Sequence, residues 1–161
     1  MKIALYRGAG LVSWCIEKFT RGVYSHVSLL SFDETGPMLH SRSSTGVIEL
    51  PSISTGFRPG TQVDIYEFSP ILSEEQEAKA IAWAKTQLGK GYDGWGITRF
   101  LTRTAPRIGE RENWFCSEYV TEACYQGGIH IFNPDLCKSW MVDPTKISWS
   151  SKLKLSKTIT L

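Results

Sequence analysis

The sequence predicts one α+β domain, 1–161, in which an antiparallel β-meander packs against helices. Short β-rich segments follow one another through the first seventy residues with turn residues between them, the pattern of a meander rather than of β-α-β crossovers. Segments of helical period lie at 11–19, from Ser73 onward and at 115–126. No internal repeat, low-complexity stretch or linker divides the 161 residues, a length that closes one hydrophobic core.

KIALYR at 2–7 alternates and reads as an opening strand. Leu11, Val12, Cys15, Ile16 and Phe19 then form the stripe of an amphipathic helix, with Cys15 as a core residue. VYSHVSLL, 23–30, is the next strand, with His26, Ser28 and Leu30 on one face and Val27 and Leu29 on the other. MLHSR (38–42), VIEL (47–50, closed by Pro51) and QVDIYEF (62–68) complete the meander. Ser73 with Gln76 three residues on makes a capping box, and Glu74 and Glu75 suit the dipole. Ile81, Ala84 and Leu88 mark that helix's inner face, and Gly89 stops it. The segment 89–114 is rich in Gly and Arg, with a short helical candidate at 97–101 that Pro106 ends. A helix follows at 115–126 and stops at Gly127–Gly128, and the alternating stretch 152–159 adds an edge strand.

Composition narrows the function. Hydrophobic residues make up 42% and charged residues 21%, a globular balance, and a net charge of +2 does not point to nucleic acid. No apolar run approaches the roughly 18 residues of a membrane span. Tyr6 and Arg7 interrupt the N-terminus before a signal-peptide core could form, so the expected location is the cytoplasm, with release by lysis as the route open to a phage-encoded protein. The four cysteines, Cys15, Cys116, Cys124 and Cys137, lack C-x-x-C spacing, and the three histidines are scattered. The expectation is free thiols, no metal and no organic cofactor.

Cys116 and Cys124 share one apolar helical stripe, where a thiol is ordinarily a core residue. Position separates them. Cys116 stands in the first turn, where free N–H groups and the macrodipole favour a thiolate, whereas Cys124 stands at the unfavourable end. His26, on a rigid strand between the small residues Ser25 and Ser28, is placed to serve as a base or as an ordinary strand histidine. His40 on the following strand could be its cross-strand neighbour and orient it, in nucleophile–base–orienter logic. His130 reads as structural or surface, Asp93 as a loop cap, and Glu49 as a weaker orienter than His40 by parity.

The order of these motifs resembles a family. YSHVSLL, then LHSRSSTGV, then GKGYD, then WFCSEYV is similar to the circularly permuted NlpC-type papain-fold cysteine hydrolases, the YiiX/YaeF-like branch, from about Tyr6 to Gly128. The resemblance implies Cys116 as nucleophile and His26 as base. It places His40 where permuted members often carry a glutamate and unpermuted ones a histidine. Tyr92, from GKGYD, would line the cleft or help position the substrate carbonyl, and the backbone N–H of Cys116 would serve the oxyanion. The reaction implied is acyl transfer on an amide, ester or thioester, with a peptide, including a cell-wall peptide, or an acyl lipid as substrate. A basic, amphipathic lip at 95–111 would allow contact with a membrane surface. Two other classes stay open: a non-catalytic papain-fold binding protein, and a redox-sensing thiol protein.

Overall fold

The computed structural model describes residues 1–8, 11–31, 33, 35–94 and 112–161. The 97–101 helical candidate and the basic lip at 95–111 lie outside the described residues.

Six strands form one antiparallel sheet: β1 (Lys2–Arg7), β2 (His26–Leu30), β3 (Met38–Arg42), β4 (Gly46–Leu50), β5 (Gln62–Phe68) and β8 (Leu153–Thr160). They lie in the order β4-β3-β2-β1-β5-β8, and every neighbour is antiparallel. β1 to β4 form the expected meander, but β5 does not continue it beside β4: the chain crosses back so that β5 pairs with β1, and β8 adds beyond β5 at that edge. Two short strands, β6 (Gly91–Tyr92) and β7 (Asn113–Trp114), pair in parallel beside it. The helices among the described residues include α1 (Leu11–Thr20), α2 (Glu74–Thr86), α3 (Cys116–Gln126) and the single turn α4 (Pro144–Ile147).

Strand alternation sorts the apolar residues into two layers. Ile3, Leu5, Val27, Leu29, Leu39 and Val47 face the helices and join Tyr119, Val120 and Ala123 of α3. Ala4, Tyr6, Leu30, Met38, Val63 and Ile65 face the other way, where Ile53 and Phe57 of the loop 51–61 cover them. Four consecutive β1 residues, Ile3 to Tyr6, have no exposed surface because both layers meet on this strand.

The capping box at Ser73 is present: its hydroxyl accepts from Gln76 N, and Gln76 returns to Ser73 N. The α2 helix ends at Thr86, short of Leu88, which is therefore 41% exposed rather than on the inner face. Two features lock α2 to α3. Tyr119 Oη donates to Ala84 O at 3.0 Å, and a Cβ on Gly127 would come within 2.8 Å of Gln76 O and of the Ala80 Cβ. The described side chains of α1 depart further from expectation. Ile16 is buried, but Cys15 is half-buried and Phe19 is 46% exposed, so α1 runs along the rim of the core.

One irregularity in the sheet shapes everything that follows. The β2–β3 ladder comprises only Leu29↔Leu39 and Leu30↔Met38. Toward His26 the two strands are no longer paired, and the first turn of α3 meets the opening between them. Ser41 Oγ, on β3, donates to Trp114 O at 2.6 Å and ties the approach to α3 against this split.

Candidate active site

Cys116 opens α3, after Phe115 as N-cap, and has no exposed surface. Three backbone N–H groups turn toward its sulfur, those of Val27, Ser117 and Cys116 itself. The Val27 N–H is available because β3 has left the ladder. The sulfur thus lies against the peptide that joins His26 to Val27. A thiol at a helix start is expected to be acidic, and Cys116 shows the opposite sign. Burial outweighs the three donors and pushes the thiol up to about 12. Cys124, deeper on the same helix, is also buried and is pushed up to about 12 by burial alone.

His26 begins β2, half-buried, and His40 lies wholly buried on β3. Their rings meet at 81° with His26 Nε2 and His40 Nδ1 2.9 Å apart. The loop residue Phe57 lies 5.6 Å from the His26 ring and 6.3 Å from that of His40, stacking on Tyr6 beneath them. In this setting both imidazoles stay neutral. Burial first, then the His40 charge and then Arg42 hold His26 well below the ordinary histidine range; burial first and then Arg42 lower His40 to about 4. His40 Nε2 is buried with no hydrogen-bond partner among the described residues.

The structure therefore brings His26 and His40 together and places Cys116 against the neighbouring peptide. No hydrogen bond between the thiol and either imidazole is present among the described residues. A raised thiol beside a lowered imidazole makes the resting pair neutral, Sγ–H and free base, rather than thiolate and imidazolium.

Tyr92 sits on β6, one strand from Trp114 and Phe115, with its ring 5.7 Å from that of Phe115. Burial chiefly, then the proximity of Cys116 and of Asp93, keep its phenol protonated far above the usual range. Gly91 permits this placement, since a Cβ there would fall 2.0 Å from Asn113 Oδ1. Tyr92 and His26 line one cleft of about 230 Å³, together with Ser13 and Ser25. Glu49 points to the helix side, where it pairs with Lys85 at 2.9 Å, away from His40. His130 is exposed against Tyr125, and Asp93 is buried.

The sequence reading did not single out Arg42, Phe57 or Arg58, all of which line the cleft. Arg42 had a signal, two residues after His40 and hence on its face of β3. Phe57 and Arg58 had none, because they sit in a loop whose path depends on contacts with residues far along the chain.

No family model matches this chain, and no curated protein matches it. Among solved structures it is similar to the metalloprotein YiiX from Escherichia coli O157:H7, DUF1105, with a TM-score of 0.65 and 18% identity over 98% of this chain and 94% of that one. At that identity the likeness is one of fold. The chain has a YiiX-like α+β fold, its antiparallel six-stranded sheet packed on helices. Among the described residues of this chain no three His, Cys, Asp or Glu side chains group to hold a metal. His26 and His40 turn a nitrogen each on one another. No helix among the described residues is long and apolar enough to cross a membrane.

Proposed function

We propose that this protein is a cysteine hydrolase of permuted papain-like type, cleaving an amide through an acyl-enzyme on Cys116. The observations that carry the reading are the 2.9 Å contact between His26 Nε2 and His40 Nδ1 and the Val27 N–H, next in the chain after His26, turned to the Cys116 sulfur. If His26 donates from Nε2 to His40, its Nδ1 keeps the lone pair that a base needs. His40 then carries its own proton on Nε2, the buried atom without a partner among the described residues.

Because the resting pair is neutral, attack is coupled to proton transfer. Cys116 Sγ forms a bond to the acyl carbon as its proton passes to His26 Nδ1. The collapsing tetrahedral adduct expels the leaving group, which takes that proton. Water, deprotonated by His26, then adds to the thioester and releases the acid and the free thiol. The backbone N–H of Cys116 at the start of α3 suits the oxyanion, and Tyr92, protonated and lining the cleft, suits the positioning of the carbonyl. Peptide amides, including those of cell walls, are the preferred substrates, and acyl lipids are the other class such a site could serve. The cytoplasm is the proposed location.

One observation favours a second reading, a non-catalytic binding protein on the same fold: the thiol is enclosed, and burial raises it. Alkylation with iodoacetamide separates the two. The catalytic reading predicts that Cys116 at pH 7 reacts about tenfold faster in the wild type than in His26→Ala, since the imidazole accepts the thiol proton. Equal, slow rates in both proteins would sink it.

A further inference from the structure

Among the described residues, the cleft beside His26 has an unbalanced charge. Its described lining contains the hydroxyls of Ser13, Ser25, Ser43 and Thr61 and two guanidinium groups, Arg42 and Arg58, with no carboxylate. Neither arginine forms an ion pair among the described residues. Glu17 reaches Ser25 from α1 but lines a different pocket.

Arg42 is held in place rather than left mobile. It ends β3 half-buried, and its guanidinium lies 5.0 Å from the centre of the Phe57 ring. On its other flank is Gly56, at φ +78, where a Cβ would stand 2.6 Å from Arg42 Nη1. A glycine in left-handed conformation thus leaves room for the guanidinium, and the next residue supplies the ring beside it. Arg58 follows at the exposed rim.

We infer that Arg42 and Arg58 form an oxyanion-binding subsite next to His26, so that the substrate carries a carboxylate or phosphate close to its scissile carbonyl. This rests on the acyl-transfer reading of Cys116 and His26 and names the substrate chemistry of that site. A planar guanidinium braced against a ring presents a fixed fork of N–H donors, which suits a carboxylate or phosphate edge. The same charge, unpaired among the described residues, opposes an imidazolium on His26. A bound anion neutralises it at the moment His26 must accept a proton, so anionic substrates gain in both binding and proton transfer. The position of Arg42 among the causes that lower both imidazoles agrees with this.

Iodoacetate and iodoacetamide test the subsite, since they differ little in size but by one negative charge, and each alkylates Cys116 with loss of iodide. The quantity read is the ratio of their rates at Cys116, so each preparation is its own control for folding. The ratio is expected to fall about fivefold in Arg42→Gln/Arg58→Gln and to stay within about twofold of wild type in Arg42→Lys/Arg58→Lys, which keeps the charge. Sodium glutarate and inorganic phosphate at matched ionic strength identify the source of the anion by which of them better protects Cys116 from iodoacetamide. A ratio unmoved in the glutamine pair, or protection by neither anion, overturns the subsite while iodoacetamide labelling still depends on His26. Labelling that does not depend on His26 overturns the acyl-transfer reading itself, and the subsite with it.

Discussion

His40 has no exposed surface and one ring nitrogen on His26, while the other meets no hydrogen-bond partner among the described residues. Its folded pKa of about 4 lies below that of a free histidine at 6.5, so between those values the unfolded chain binds the extra proton. Stability is therefore fully present above pH 6.5, falls as the pH drops, and loses this contribution below about 4. From pH 7 to 5 the loss from this residue is about 2 kcal/mol, and His26, also held low, acts in the same direction. Asp64 does not confuse the window. Burial would raise its carboxyl, but hydrogen bonds from Thr158, Tyr24 and Arg7 hold it below 3.8. Urea unfolding at the two pH values should show the drop in wild type and a smaller one in His40→Asn. Strand parity alone placed His26 and His40 for contact, because a period of two is a local property. The sign of the Cys116 shift was not legible, since it depends on how many layers cover the helix start rather than on the helix itself.

Elements with local signals were readable, and those fixed by distant partners were not. The capping box of α2 and the stop at Gly127–Gly128 are written in neighbouring residues. Leu88 fits the helical period yet lies beyond the last turn, and Phe19 fits it on a helix that runs along the rim. What joins α2 to α3 is equally hidden in the sequence. Gly127 reads as a stop signal, but it also permits close approach, since a Cβ there would strike Gln76 O and Ala80. Gly127→Val should lower stability by about 2 kcal/mol through forced separation of the helices. Tyr119→Phe, which removes only the hydrogen bond to Ala84 O, should cost about 1 kcal/mol. Thermal or urea unfolding of the two variants checks the order; a Tyr119→Phe loss larger than that of Gly127→Val would contradict this account of the interface.

At the scale of the molecule, the site exists because the sheet opens between β2 and β3 and the start of α3 occupies the opening. That opening frees the Val27 N–H for the sulfur and lets His26 lean across to His40. The histidine pair spans 14 positions, but the contacts of the thiol and of Ser41 join residues more than seventy positions apart, so the sequence carries the participants but not the split that assembles them. The loop 51–61 is the second such feature, bringing Phe57 over the two histidines and Arg58 to the rim. The central claim is that this assembly makes Cys116 and His26 one acyl-transfer unit, and p-nitrophenyl acetate tests it most directly. Intact-mass and peptide analysis should find an acetyl group on Cys116 during turnover. Acylation should fall about 10²-fold or more in His26→Ala and roughly tenfold in His40→Ala, which leaves the base but not its orientation. Acetyl found on surface lysines alone, at a rate unchanged by Cys116→Ser or His26→Ala, would contradict the account.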